Sequence, residues 1–410
     1  MQSTRSASLF LLLSGAACTS AMGQAVVLPL PTTAREVNSN GTVVLGYGTG
    51  TSSFKFTISA DRQSIASTQE ITNAALGPVT SWMQLVGLSR DGSVAVGRGF
   101  SASGQEACRL NGSTLTGLGD LAGGGFASDA SDVSADGLTI VGTGRSATGA
   151  TAFVWTSGGG MVSMGDLPGG AVSSGASAIS GDGQVAVGFG TSATGVEAFH
   201  WTAWSGAIVG LGKLPGGSFS IATATNWNGT TVVGQSGSTA GPGQAFRWTS
   251  TEGMVGMGDL PGSTFDSRAV GVSRDGLVIV GNSRGVVDGV NGYHAFIWRY
   301  DRDFHIEALE TVLFDDYGLT VGPLTNATAI SDDGRTIVGD GWLVYLGPKC
   351  AADINNDGNI DIKDLSAFQE AMQEGHLRAD IDNGWGQGEW DGYVDINDLI
   401  YFLQRFEIGC

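Results

Sequence analysis

The C-terminal part of the chain carries oxygen-bearing side chains at a regular spacing. In ADINNDGNIDIKD, residues 352–364, they stand at positions 1, 3, 5, 7, 9 and 12 of a loop: Asp353, Asn355, Asp357, Asn359, Asp361 and Asp364. Gly358 stands at position 6. Calcium takes six or more oxygen ligands, and a loop with this spacing wraps around it, position 7 offering its backbone carbonyl. The stretch therefore predicts a calcium site.

A second copy of the loop follows. DGYVDINDL at 391–399 matches DGNIDIKDL at 357–365, and two aspartates precede it at the equivalents of positions 1 and 3. The predicted ligands of this loop are Asp380, Asp382, Asp391, Tyr393, Asp395 and Asp398. The intervening NGWGQGEW is about seven residues longer than such a loop requires. We predict calcium in the first loop, and the occupancy of the second stays open.

Each loop leads into an apolar helix, and this order separates the segment from a merely acidic tail. Leu365, Phe368 and Met372 share one face of the first helix, and LIYFLQRF forms the second. Cys350 and Cys410 bracket the segment, so we predict a disulfide that closes residues 350–410 on themselves. Without metal the crowded carboxylates repel, so folding of this module is expected to depend on calcium.

The N-terminal residues 1–25 have the features of a secretory signal peptide. Arg5 precedes an apolar run that is too short to span a bilayer, and Gly-Gln-Ala ends at Ala25 as a cleavage site. Cys18 raises the alternative of a lipoprotein, but Gly15 stands where a large aliphatic residue is expected. We therefore predict a secreted or cell-surface protein with no transmembrane segment. With a net charge of −19, no nucleic-acid partner is expected.

Three motifs recur through residues 26–349 with a period of about 46 residues. GDLAGG at 119 returns as GDLPGG at 165, GKLPGG at 212 and GDLPGS at 258. A turn of the type Ser-x-Asp-Gly precedes alternating apolar residues, and AFxW follows them. Asp-Gly at such a place makes a tight hairpin, because glycine accepts positive φ. The turn aspartates Asp136, Asp182, Asp275 and Asp333 are accordingly predicted to be structural.

Four short antiparallel strands per repeat make one blade of a β-propeller. Counting NSNG at 38 and NWNG at 226 as equivalent turns gives seven blades, and the N-terminal AVVLPLPTT provides the strand that the last repeat lacks. A solenoid is the alternative, because a period does not determine curvature.

In this register Cys108 replaces a core phenylalanine. The insertion at 299–324 departs from the repeat, and its centre, 306–318, is compatible with one short helix.

Two resemblances follow from these motifs. The repeats resemble the HAF family of bacterial extracellular repeats, with the triplet preserved at His294, Ala295 and Phe296. The C-terminal module resembles the dockerin of bacterial polysaccharide-degrading assemblies, in the GC-type variant that Cys350 and the terminal Gly409-Cys410 suggest. The resemblance implies calcium-dependent docking to a cohesin-like partner, with the recognition face near Ile362, Lys363, Ile396 and Asn397.

No catalytic residue is nominated by the sequence. The histidines of the repeat region stand in no nucleophile or paired-histidine metal motif. The expected function is therefore a secreted, non-catalytic interaction protein anchored through its C-terminal module. The alternatives are a carbohydrate-active enzyme with its active site on the axial face of the propeller, and a module in which calcium only stabilises.

Overall fold

The computed structural model describes residues 25–47, 52–73, 83–300, 305–347, 362–374 and 395–408. The chain divides into two compact units, the larger formed by residues 25–347 and the smaller including 348–410. The predicted signal peptide lies outside the described residues, apart from Ala25.

The described part of the larger unit is almost entirely β-structure. Its first strands are β1 (Val26–Val37), β2 (Val43–Tyr47), β3 (Ser53–Ile58), β4 (Ile65–Ile71), β5 (Gln84–Leu88), β6 (Val94–Ser101), β7 (Gly104–Asn111), β8 (Thr114–Gly117), β9 (Gly123–Val133), β10 (Thr139–Ser146), β11 (Gly149–Thr156) and β12 (Gly160–Gly165). Then follow β13 (Gly175–Ile179), β14 (Val185–Ser192), β15 (Gly195–Thr202), β16 (Ile208–Gly210), β17 (Ser220–Thr225), β18 (Thr231–Ser236), β19 (Gln244–Thr249) and β20 (Gly253–Gly256). The last are β21 (Ser267–Val272), β22 (Val278–Val287), β23 (Val290–Arg299), β24 (Ile306–Ala308), β25 (Ala327–Ile330) and β26 (Thr336–Tyr345), with helix α1 (Leu309–Tyr317) after β24.

The Ser-x-Asp-Gly stretches form the predicted hairpins. In the one between β9 and β10, Ser134 Oγ donates to Asp136 Oδ1 at 2.6 Å, and the same oxygen accepts the Leu138 N–H at 2.9 Å. Gly137 has φ +72°, which only glycine adopts without strain. The turns around Asp182, Asp275 and Asp333 have the same bonds. These aspartates are therefore turn residues, as predicted.

The strands form antiparallel units of four that follow one another along the chain. Three are separate sheets, in the orders β13-β14-β15-β16, β17-β18-β19-β20 and β21-β22-β23-β24. Strands β5–β8 and β9–β12 form two more units, which the parallel pair Gln105 and Ala127 joins. The remaining sheet has the order β25-β26-β1-β2-β3-β4, so strands from both ends of the unit meet in it.

Strand β1 closes the ring of sheets. Within β26 the chain makes a hairpin at Gly341, which has φ +78°. Residues 342–345 return beside residues 336–340, and the Leu346 N–H donates to the Arg335 carbonyl at 2.7 Å. Residues 26–29 then pair antiparallel with residues 342–345. The N-terminal strand therefore supplies the outer strand of the last repeat, as predicted. A ring that closes in this way is a β-propeller, and it excludes the open solenoid.

The core lies between neighbouring sheets. Each AFxW strand buries its phenylalanine completely, and these residues are Phe153, Phe199, Phe246 and Phe296. One cluster joins Phe56 of the first repeat to Val338 and Leu343 of the last, so the buried layers also close around the ring. Cys108 occupies the phenylalanine position and is fully buried, as predicted. Burial raises the pKa of its thiol far above the usual range, which makes it unreactive.

The insertion after β23 packs into this core. Helix α1 is shorter than the predicted one, because Ile306–Ala308 pairs as strand β24 with β23. Leu309 and Leu313 of α1 are fully buried against residues from the last two repeats. Glu310 accepts the Leu324 N–H at 2.7 Å and lies 3.0 Å from His294 Nδ1. The histidine of the His-Ala-Phe triplet therefore anchors this insertion.

In the smaller unit, two helices are described: α2 (Ile362–Glu374) and α3 (Ile396–Ile408). They pack through Phe368 and Phe402, which are fully buried, with ring centroids 4.2 Å apart and an interplanar angle of 11°. These two phenylalanines occupy equivalent places in the two sequence repeats. The apolar faces that the sequence predicted are thus the contact between the helices.

Candidate functional site

Most of the predicted calcium ligands lie outside the described residues. They are Asp353, Asn355, Asp357, Asn359, Asp361, Asp380, Asp382, Asp391 and Tyr393, and the predicted disulfide partners Cys350 and Cys410 lie outside as well. In the part of the chain that the structure describes, no group of three or more His, Cys, Asp or Glu side chains is placed to hold a metal. The calcium sites and the disulfide therefore stay predictions.

The last predicted ligand of each loop is described, and both are buried. Asp364 and Asp398 have no exposed surface and lie in the first turns of α2 and α3. Asp398 Oδ2 accepts the Asp395 N–H at 2.8 Å, and Asp395 Oδ1 accepts the Asn397 N–H at 2.7 Å. These two bonds cap the start of α3. Position 12 of a calcium loop is a carboxylate ligand, so these two residues are of the type that the predicted loops require.

The predicted recognition residues lie at the starts of the same helices. Ile362 and Ile396 leave 64% and 60% of their surface exposed, and Lys363 is exposed too. Asn397 is half-buried. Ile400 and Leu403 extend the exposed apolar surface of α3. Large aliphatic residues so exposed at two equivalent helix starts are what a docking face requires.

An axial channel runs through the propeller and is lined by residues that sequence reasoning did not single out. The innermost strand of each repeat skips one residue in its pairing with the next strand, and these bulged residues are Arg35, Val86, Ser131, Ser177, Thr223, Val270 and Thr328. A β-bulge re-aims the side chain of its extra residue. Six of these residues line the channel. The signal in the sequence is the run of four residues before each turn, which reads ASAI at 176–179, AVGV at 269–272 and ATAI at 327–330 and begins with alanine in six of the seven repeats.

The turn end of the channel is narrow and polar. Its cavity measures about 180 Å³. Two guanidinium groups lie close to the Trp227 ring, whose centroid is 5.1 Å from Arg90 Cζ and 4.2 Å from Arg274 Cζ. Arg90 also pairs with Asp332, at 3.6 Å between Nε and Oδ2. These four side chains come from different repeats, and together they line this end of the channel.

Two carboxyl groups, Glu36 and Asp132, line the same cavity. Burial, with Asp132 as a charged neighbour, raises the pKa of Glu36 well above its usual value. Burial also raises the pKa of Asp132 to about 7, although its carboxylate accepts the Val133 N–H at 2.7 Å and the Ile179 N–H at 2.9 Å. Raised carboxyl pKa values are typical of general acids. Here the cavity is smaller than the pockets that hold sugars or other ligands, which begin at about 300 Å³.

The raised pKa of Asp132 predicts an unusual dependence of stability on pH. Below about pH 4 the carboxyl is protonated in both states. From there to pH 7 the unfolded chain releases the proton and the folded one keeps it, so stability falls as pH rises, and it levels above pH 7. The unfolding free energy of wild type minus that of Asp132→Asn, both from urea titrations, should therefore decrease from pH 4 to 7. Ser131→Ala is the control, and a pH-independent difference for Asp132→Asn would contradict the assignment.

The opposite mouth of the channel is wide. Its cavity measures about 680 Å³ and is lined by Arg268 near the start of β21, by Asn326 just before β25, and by Thr33, Arg35 and Tyr47 of the first repeat. Arg35 Nη2 donates to Tyr47 Oη at 2.6 Å. This mouth has the size of a ligand pocket and carries polar groups around an open space.

Comparisons with known proteins reveal likeness only to solved structures. No family model matches the chain, and no curated protein matches it. The WD40 repeats of RRP9 give a TM-score of 0.47 at 10% identity, with 79% of this chain and 97% of that one covered. TolB from Acinetobacter baumannii gives 0.43 at 11% identity, with 68% of this chain and 61% of that one covered. A putative TolB from Agrobacterium tumefaciens gives 0.40 at 13%, with 78% and 97% covered.

Among the described residues, each helix is too short or too polar to cross a bilayer.

Proposed function

We propose that this protein is an exported, non-catalytic binding protein whose propeller is displayed through a calcium-dependent C-terminal module. The module resembles a dockerin and is proposed to dock to a cohesin-like partner on a scaffold or on a cell surface. The observation that carries this proposal is the matched exposure of Ile362 and Ile396 at the starts of two stacked helices. An unpartnered pair of aliphatic residues on a small module favours a protein partner.

We further propose that the propeller has seven blades. Support comes from the innermost bulges, one in each repeat, and from the seven buried clusters that link each sheet to the next in the described residues. The last blade takes its fourth strand from residues 26–29.

The alternative of a carbohydrate-active enzyme finds less support. Its best candidates, Glu36 and Asp132, face a cavity of about 180 Å³ behind Trp227. A sugar ring held between two carboxyl groups needs more space than that cavity provides. The wide mouth is better suited to binding than to hydrolysis, because the one carboxylate among its described lining residues, Asp340, is engaged by Asn326 Nδ2 at 2.6 Å.

The test is affinity capture on the immobilised full-length chain. Secreted and surface proteins of the source organism are passed over it with calcium and then with EGTA, and the eluted proteins are identified. We expect a protein that is released by EGTA and is not retained by the double variant Ile362→Asp, Ile396→Asp. Gln369→Asp, at an exposed position of α2, should retain it. Calcium binding without any such capture would favour a module that calcium only stabilises.

A further inference from the structure

The wide mouth of the channel holds two guanidinium groups with no acidic partner in the described residues. Arg35 and Arg268 line it, and neither forms an ion pair there. Four other arginines among the described residues pair with acids, as Arg98 does with Asp129 at 2.6 Å. Asp340 is the acid of this lining, and its Oδ2 accepts a bond from Asn326. In a chain with a net charge of −19, two unpaired cations at one cavity need an explanation.

The fold directs both arginines to this place. Arg35 is the bulged residue of β1, and its Nε is buried without a hydrogen-bond partner. Arg268, on β21, has an exposed side chain that lines the mouth. The surrounding protein partly desolvates its guanidinium group, which lowers the pKa of that group. Arg35 donates to Tyr47 Oη and lies over the Tyr47 ring, with its Cζ 4.5 Å from the ring centroid. Neither guanidinium group has the counter-charge that an anion supplies.

A neutral acceptor completes the site. Asn282 Nδ2 donates to the Ala327 carbonyl at 2.9 Å, which orients the side-chain amide. Its Oδ1 is buried and has no partner. A buried acceptor without a donor costs free energy, and a ligand hydroxyl would restore the missing bond. The cavity of about 680 Å³ is large enough for one or two sugar rings.

We propose that this mouth binds a small carboxylate that carries hydroxyl groups, of the sugar-acid class. The guanidinium groups of Arg35 and Arg268 hold the carboxylate, and Asn282 Oδ1 accepts a hydroxyl. The single negative charge of such a ligand matches the lining, where two arginines face one aspartate. The proposal does not rest on docking by the C-terminal module, so either can fail without the other.

Calorimetric titration of the full-length chain tests the ligand class. The probes are D-galacturonate, its neutral counterpart D-galactose, and inorganic phosphate, in low-salt buffer and again with added salt. We expect galacturonate to bind, to weaken with salt, and to bind at least about tenfold more tightly than galactose, because a charge-assisted bond contributes more than a neutral one. Equal affinity for the two sugars, no binding of either, or tighter binding of phosphate would overturn the proposal.

Matched arginine variants locate the site. Arg268→Gln should weaken galacturonate binding by about tenfold or more while leaving the melting temperature close to that of wild type, because the side chain is exposed. Arg145→Gln removes an exposed arginine outside the mouth and should bind as wild type does. Arg35→Gln gives an independent check on the bulged residue. If Arg268→Gln and Arg35→Gln both fold and bind like wild type, the mouth is not the site.

Discussion

Chelating calcium is expected to abolish most of the helical circular dichroism of this protein while leaving the β-structure intact. Two of the three described helices, α2 and α3, belong to the unit with the predicted calcium loops. Each begins beside a fully buried carboxylate, Asp364 or Asp398. Without a cation the carboxylates of the predicted loops repel one another, so metal binding and folding are expected to be coupled. The measurement is ellipticity at 222 nm during titration with EGTA and then with calcium.

A ligand variant separates calcium binding from simple helix capping. Asp357→Ala removes a predicted ligand of the first loop and should raise the calcium concentration for half-recovery by about tenfold or more. Asn356→Ala, at a loop position that supplies no ligand, is the matched control. Should the helical signal survive chelation in the wild type, Asp364 and Asp398 act only as caps, as the bonds around Asp395 would allow.

Replacing Leu28 with aspartate is expected to lower the free energy of unfolding of the propeller by at least about 3 kcal/mol. Leu28 belongs to the N-terminal strand that pairs with residues 342–345, and it packs in the cluster that joins the first and last repeats. A carboxylate there loses apolar burial and has to be desolvated in the one sheet that contains both ends of the unit. Urea unfolding followed by tryptophan fluorescence measures the change.

The neighbouring residue provides the control for this strand. Pro29 is exposed, so Pro29→Asp should change the unfolding free energy by less than about 1 kcal/mol. If Leu28→Asp and Pro29→Asp have equal small effects, residues 26–29 do not close the ring in solution. Their difference therefore tests ring closure and not the general tolerance of the N-terminus.

The repeat pattern by itself determined much of the propeller. Asp-Gly turns and alternating apolar runs are local signals, so each hairpin could be read from a few residues, and Gly137 or Gly276 then adopts the positive φ that the turn needs. The N-terminal strand was also predictable, because the last repeat lacks one of its strands. The burial of Cys108 followed from its place in the register. The start of the helix in the insertion was wrong by three residues, since pairing with β23 prevailed over local helix periodicity.

The channel, in contrast, was decided only by the tertiary structure. Glu36 and Asp132 are far apart in the sequence and meet because equivalent positions of different repeats converge on one axis. Arg35 and Arg268 line one cavity for the same reason, and a one-residue bulge directs Arg35 inward where strict alternation would not. Local sequence determines strands and turns through short-range backbone preferences. Which side chains share a cavity, and what charge they lack, depends on ring closure, and no short stretch of sequence contains that information.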